Sequence, residues 1–276
     1  MHRQGLAARS LLVLAITILL LAPGSIPVRA QSSDAFVPVT DAMLQNPAPG
    51  DWLMWRRSLD SWGYSPLDQI DRDNVDDLQM VWTRALGPGL QQGTPLVYHG
   101  VMYMPNPRDV IQAIDVVTGD LIWEYRRDRP DDLADYMIGS LIDTNRNLAI
   151  HGNLIIDTSA DEYVFALDAT TGKSVWERAA APAYRNQMGN GPRATPTLLK
   201  DSVYAFTGEG ILVALRFSDG MESWRHDVVK ELGGKPAEYG MASSPLVAGP
   251  RVIVTAGAPN ATVVAYDRAS GELAWT

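Results

Sequence analysis

The 276-residue sequence is 46% apolar and 20% charged, with 18 Pro and 23 Gly, a composition typical of globular proteins long enough to bury a large core. Residues 1–30 hold three Arg and no acid, so residues 31–276 carry 20 basic and 32 acidic side chains, a formal −12 that repels nucleic-acid phosphates and anionic lipid head groups. Cysteine is absent, which excludes disulfide frameworks, zinc ribbons, thiol nucleophiles and haem attached through Cys-x-x-Cys-His.

Taken in chain order, His2, Arg3 and Arg9 precede an apolar run over 11–22 that Pro23 and Gly24 break, too short to span a membrane comfortably. Val28 and Ala30 put small residues at the −3 and −1 positions of a cleavage site before Gln31. Residues 1–30 therefore read as a signal peptide and the rest as exported, most simply to a bacterial periplasm; an uncleaved anchor helix is the alternative. Nothing later reaches about 18 uninterrupted apolar residues, so no transmembrane span is expected after cleavage. Residues 31–47 form an N-terminal extension and 48–276 a repeat region.

One phrase recurs in that region: Ala113-x-Asp115 with Thr118, Gly119 and Trp123; Ala166-x-Asp168 with Thr171, Gly172 and Trp176; Ala214-x-Arg216 with Asp219, Gly220 and Trp224; Ala265-x-Asp267 with Ser270, Gly271 and Trp275. The glycines stand 53, 48 and 51 residues apart. A period near fifty with Gly and an aromatic at fixed offsets predicts an all-β fold, a β-propeller with one four-stranded antiparallel blade per repeat. Alternating apolar residues such as Tyr163–Leu167 supply a strand, Asp and Thr or Ser turn the chain by accepting from nearby amides, and Gly takes the positive φ of the tight turn. The Trp of the next strand is expected to pack between blades rather than to bind a ligand. A looser phrase before each copy (93–103, 148–156, 194–204, 244–254) reads as strand, turn, strand. With the partial phrase ending at Trp82, four to five blades are expected, an apparently incomplete ring.

This pair of phrases resembles the pyrroloquinoline quinone (PQQ) repeat of quinoprotein dehydrogenases and of outer-membrane assembly propellers. Residues 48–178 resemble the N-terminal part of PQQ-dependent alcohol dehydrogenases through Asp51-Trp52, Arg56-Arg57, Ser65-Pro66-Leu67, the 70–82 segment and Asn145-Arg146. From about residue 186 the chain is more similar to generic PQQ-like repeats, in 189–196 and 240–246.

The resemblance implies a PQQ cofactor and a calcium ion, and it implies site residues one by one. The family's Glu before the Thr-Pro-Leu strand matches Gln92, a neutral amide; the Arg of its Asn-Arg-Gly segment matches Arg146, with Asn147 in place of the Gly; a Thr ten residues before a turn Asp matches Thr158. For the metal, Glu209 matches the Glu of the Gly-Ala-Glu segment, and Asn260 stands near where a calcium-binding Asn is expected, in a context that also suits a turn. The adjacent cysteines that lie against the quinone have no counterpart near Ile138-Gly139-Ser140, nor has the Trp beneath it, and the catalytic Asp is expected beyond this stretch.

His99, His151 and His226 show no ligand spacing and are read as surface or satisfied side chains, the first two at hairpin turns. Gly87–Gly89 and Gly208–Gly210 are turns without the spacing of a phosphate loop. The acidic runs Asp71, Asp73, Asp76, Asp77 and Asp128, Asp131, Asp132, Asp135 read as exposed loops. Two functional classes follow. One is a periplasmic quinoprotein alcohol dehydrogenase-like propeller, with an alcohol substrate and an electron acceptor, truncated or inactive here; the other is a non-catalytic propeller that binds protein partners in the cell envelope. A second chain supplying the missing propeller half is a further partner.

Overall fold

A computed structural model describes residues 35–130, 144–146, 148–184, 186 and 193–276. Phe36–Thr276 forms one compact unit, described here by itself. The expected signal peptide, Ile138-Gly139-Ser140, Asn147 and 187–192 lie outside the described residues, as do Asp131, Asp132 and Asp135.

Among the described residues sixteen strands form four antiparallel sheets, each built from four strands consecutive in sequence. Blade A contains β1 (Leu96–Tyr98), β2 (Val101–Asn106), β3 (Val110–Asp115) and β4 (Leu121–Arg126). Blade B contains β5 (Ala149–His151), β6 (Leu154–Thr158), β7 (Tyr163–Asp168) and β8 (Ser174–Ala179). Blade C contains β9 (Thr197–Leu199), β10 (Ser202–Phe206), β11 (Ile211–Arg216) and β12 (Glu222–Asp227). Blade D contains β13 (Leu246–Ala248), β14 (Arg251–Ala258), β15 (Ala261–Asp267) and β16 (Leu273–Trp275). The looser phrase is the inner hairpin of each blade and the Trp phrase its outer pair, as the spacing predicts.

The turn between the outer strands works as its residues require. Asp115 Oδ1 accepts from the amides of Val117 and Thr118 at 2.8 and 2.9 Å, and Asp168 and Asp267 repeat the arrangement. In blade C, Arg216 pairs with Asp219, whose Oδ1 accepts from the Met221 amide at 3.0 Å, so the degenerate copy reaches the same turn by another route. Gly119, Gly172, Gly220 and Gly271 all take φ between +66° and +78°. A bulge follows Ala113, Ala166, Ala214 and Ala265, each of which faces its blade's Trp across the strand pair. A small residue opposite the indole leaves it room to lean out of the sheet.

The indole leans onto the following blade. A Cβ on Gly119 would stand 2.6 Å from Trp82, one on Gly172 2.5 Å from Trp123, one on Gly220 2.5 Å from Trp176 and one on Gly271 2.8 Å from Trp224. Each indole N–H donates to a carbonyl of the turn it covers: Val116, Ala169, Phe217 and Arg268, at 2.9–3.2 Å. The seam thus joins each Trp to the glycine of the next blade, so the docking set is Trp82, Trp123, Trp176 and Trp224. Trp275 keeps 46% of its surface exposed. Trp82 belongs to an extended segment, 78–93, without a strand of its own, in which Met80 and Val81 are more than four-fifths exposed.

The core is aromatic and aliphatic. Tyr98, Tyr103 and Phe165 lie in one buried cluster, and Tyr204, Phe206 and Tyr266 in another. The N-terminal part clips onto the blades: Val39 exchanges two backbone bonds with Gly152, Trp52 bridges Val97, and Thr40 caps the helix Asp41–Gln45. No helix among the described residues is long and apolar enough to cross a membrane.

Candidate functional site

Strand order brings the expected quinone residues to one end of the blades. Gln92 and Arg146 lie on the segments that enter the innermost strands β1 and β5, and Thr158 ends β6, beside the start of β5. The carbonyl of Arg146 accepts from the Thr94 amide at 2.8 Å, which ties the entries of blades A and B together. Asn145 Nδ2 donates to Asp157 Oδ2 at 2.5 Å and the Thr158 amide donates to Asp157 Oδ1 at 2.7 Å, so a buried carboxyl ties Asn145, the neighbour of Arg146, to the Thr158 backbone. Arg146 and Thr158 are half-buried, while Gln92 is exposed. Burial, and then the nearby Arg193 guanidinium, lower the Arg146 pKa.

Two carboxyls at this end were not anticipated. Asp157 is fully buried and its pKa is pushed up to about 8, chiefly by desolvation. Glu162 is 1% exposed, holds a left-handed φ of +66° and has Oε2 without a partner, while Oε1 accepts from the Gly208 amide at 3.5 Å. Desolvation, with Glu209 and Asp161 nearby, lifts its pKa to about 8 against the opposing Arg193 charge. A non-glycine residue in that conformation, with a buried carboxyl, costs stability twice over. The sequence carried a signal for it: Asp161-Glu162 sits at the β6–β7 turn, where a tight hairpin favours Gly at the second position.

Arg127, at the end of blade A, is the cation that closes this end between blades. Its side chain is 3% exposed; Nη1 donates to Asp161 at 2.7 Å, and Nη2 and Nε donate to Glu177 at 2.7 and 3.0 Å. Asp109 lies 3.7 Å away and the guanidinium stacks 4.6 Å from the Tyr163 ring. Burial opposes the charge, yet the bonds to Glu177 and Asp161 outweigh it and raise the pKa. A single Arg amid conserved-looking turns gave no signal, because its partners come from 34 and 50 residues away.

The two residues expected to serve calcium stand in different settings. Glu209 lies half-buried in the β10–β11 turn, its pKa raised by burial and then by Asp227, and Asn260 is exposed at the β14–β15 tip. Among the described residues no group of three or more His, Asp or Glu side chains is arranged to hold a metal ion. The donor set at the strand entries, arginine with hydroxyl and amide groups, suits the carboxylate and carbonyl oxygens of a quinone better than a divalent cation.

The histidines show no ligand arrangement among the described residues, and His151 Nδ1 is buried without a hydrogen-bond partner. His99 stacks on Tyr98, His151 bonds Asp41 at 2.9 Å, and His226 bonds Glu231 and the Gly271 carbonyl at 2.9 and 2.7 Å. His151 ends strand β5 instead of sitting in the turn, which falls on Gly152 and Asn153. Asp71, Asp73, Asp76 and Asp77 are exposed around the short 3-10 turn Val75–Asp77, with Asp71 accepting from the amides of Asp73 and Asn74.

A cavity of about 530 Å³ opens along the inner strands. Leu148, Ile150, Leu198 and Val247 supply apolar walls, and Arg193 and Ser244 supply polar ones.

The likenesses to other proteins agree with this architecture. A family model described as Outer membrane protein assembly factor BamB matches residues 74–276. The chain is 34% identical over 199 residues to the dehydrogenase subunit of the quinone alcohol dehydrogenase of Gluconobacter oxydans, covering 68% of this chain and 26% of that protein. It is 29% identical over 232 residues to quinohemoprotein alcohol dehydrogenase ADH-IIG of Pseudomonas putida, covering 82% and 32%. Among solved structures, the quinohemoprotein alcohol dehydrogenase ADHIIG of Pseudomonas putida HK5 superposes with a TM-score of 0.68 at 22% identity, over 87% of this chain and 42% of that one, which shows a shared fold. The chain spans about a quarter to a third of the length of these curated relatives. By motif, blade geometry and family match, the chain belongs to the PQQ-repeat β-propeller family.

Proposed function

We propose that this chain is a quinoprotein alcohol dehydrogenase-like propeller of the periplasm that binds PQQ at the entries of its inner strands. The observation that carries the reading is the bonding of Asp157 to the Asn145 side chain and to the Thr158 amide, which ties the segment that carries Arg146 to the end of β6 at one end of the blades. Arg146 would bind the anionic oxygens of the quinone, Thr158 would orient it by hydrogen bonding, and Gln92 would add a neutral amide where the family places a carboxylate. When bound, PQQ supplies a two-electron acceptor for the hydride of an alcohol. The exported location rests on the signal-like residues 1–30.

Alcohol oxidation also needs a base to take the hydroxyl proton. Asp157 and Glu162, the buried carboxyls nearest that tie, are bonded to Asn145 and the Gly208 amide, and neither lines the cavity. Quinone binding is the part of the family's chemistry proposed for this chain; a base, an electron acceptor and a calcium ion are what the family's alcohol oxidation adds to it.

The test is a titration of the purified chain with PQQ, with and without Ca²⁺, following quinone absorbance and melting temperature. Micromolar binding that Arg146→Ala or Thr158→Ala abolishes supports the reading. No binding by a folded chain overturns it.

A second reading, a non-catalytic scaffold that binds envelope proteins, is favoured by the extended segment 55–81, where Trp62, Tyr64, Met80 and Val81 stand more than 70% exposed. Failure to bind quinone together with capture of a defined envelope protein through this segment would decide for it.

A further inference from the structure

The cavity along the inner strands is separate from the strand entries: none of Gln92, Arg146 and Thr158 lines it. At about 530 Å³ it has the size of a small-molecule site, roughly 300–1,000 Å³. Three successive blades supply apolar walls, through Leu148 and Ile150 of blade B, Leu198 of β9 and Val247 of β13, and the N-terminal part adds Leu44 and Leu53. A further side comes from a loop held in place at a cost in backbone strain. Arg56, Arg57 and Ser61 take left-handed φ of +61°, +70° and +57°. Arg57 Nη2 donates to the carbonyls of Pro47 and Ala48 at 3.1 and 3.3 Å, and Asp60 Oδ1 accepts from the Ser58 hydroxyl and the Trp62 amide at 2.6 and 3.2 Å. This loop brings Trp55 and Leu59 to the cavity 50% and 68% exposed, two large apolar side chains that a guest would take out of water.

The polar groups of the lining are largely engaged inside the fold. Asp41 Oδ1 bonds His151 Nε2 at 2.9 Å, Thr197 Oγ1 donates to the Pro245 carbonyl, Ser244 Oγ accepts from the Thr195 amide at 3.0 Å, and Arg193 has a partner of its own. Asp41 and Arg193 are the charged residues of this lining, so an ion entering it would lose its water without a charge set aside to replace it. We infer that the cavity binds an uncharged, largely apolar ring compound, seated on Leu148, Ile150 and Leu198 and packed against the Trp55 indole. Gln45, exposed in the same lining, offers a neutral amide to one hydrogen-bonding substituent. This site goes beyond the quinone-binding reading and does not depend on it.

The full chain is titrated with N-phenyl-1-naphthylamine, an uncharged fluorescent ring compound, and with 8-anilinonaphthalene-1-sulfonate, which carries the same rings and a sulfonate. One micromolar site with enhanced fluorescence is expected for the uncharged probe, and binding at least tenfold weaker for the sulfonate. Ala242→Trp, at an exposed residue of the lining, adds bulk to the opening and should weaken the uncharged probe at least tenfold with little change in melting temperature. Trp55→Ala should weaken it several-fold. Met80→Ser, at a residue 82% exposed and outside the lining, should change nothing. Equal binding of the two probes, no enhancement by the folded chain, or binding that survives both Ala242→Trp and Trp55→Ala would overturn the site. A loss in Met80→Ser as large as in Trp55→Ala would place the probe on the exposed segment 55–81 and overturn it as well.

Discussion

The outer seam of the blades and the end where the inner strands begin are built on opposite principles. At the seam, four Trp residues dock on four glycine turns with the same hydrogen bond, and even the degenerate turn of blade C reaches the same geometry. At the entry end the residues diverge even where the turn is shared: blades B and C make the same backbone bonds, but Glu162 stands in blade B where blade C has Gly210. Blade A has Arg108 and Asp109 in left-handed conformations, blade B has Glu162, blade C has Gly210 and blade D has Gly257. The seam is what any repeat of this family needs in order to stack. The entry end gathers buried charge, orphaned carboxyl oxygen and backbone strain, which a purely structural repeat would shed.

Removing Arg127 tests that contrast most severely. Arg127→Met leaves Asp161 and Glu177 facing each other with no cation, and a loss of about 3–5 kcal/mol is expected, read as a collapse of the denaturant midpoint. A loss below about 1 kcal/mol would make the entry end as indifferent as an exposed surface. At the seam, Trp176→Ala is expected to cost about 3–5 kcal/mol, and Trp275→Ala, with its indole half-exposed, less than about 1 kcal/mol. Equal costs for the two would mean that docking on the next glycine contributes nothing.

The glycines sharpen the same point on a smaller scale. Gly172→Ala places a methyl 2.5 Å from the Trp123 ring at a φ of +69°, whereas Gly100→Ala meets open space at a φ of +80°. Both suffer backbone strain of about 1 kcal/mol, and only the first must also displace an indole, so its melting temperature should fall further.

The buried carboxyls predict a pH dependence of definite sign. The folded pKa of Asp157 and of Glu162 is pushed up to about 8, above the ordinary carboxylate value near 4, so the folded state holds protons that the unfolded chain releases. Their contribution to stability is greatest below pH 4, declines as pH rises toward 8 and then levels off. Glu162→Gln should flatten part of the decline between pH 5 and 8 in denaturant titrations at several pH values. An unchanged slope would place the Glu162 carboxyl in contact with water.

Much of the fold was legible because the seam is written locally. Asp115, Gly119 and Trp123 lie within nine residues of one another, and each serves a turn or a strand that sequence spacing alone can place. The docking direction was not legible, since nothing in one repeat says which neighbouring glycine its Trp covers; that is why Trp82 takes part and Trp275 does not. Arg146 and Thr158 could be singled out because they match the family's motifs, and the structure brings both to the entry end of blade B. Arg127, Asp157 and Glu162 escaped because their meaning lies in burial and in partners on other strands.

The central claim is that Arg146 and Thr158, whose segments Asp157 ties together, hold a quinone. The most direct measurement is isothermal titration of PQQ into the intact chain beside Arg146→Ala and Asn145→Ala. The account predicts one micromolar site per chain, lost in the first variant and weakened in the second, where only the tie to Asp157 is cut. Binding unchanged in both variants would place the quinone elsewhere and contradict the account.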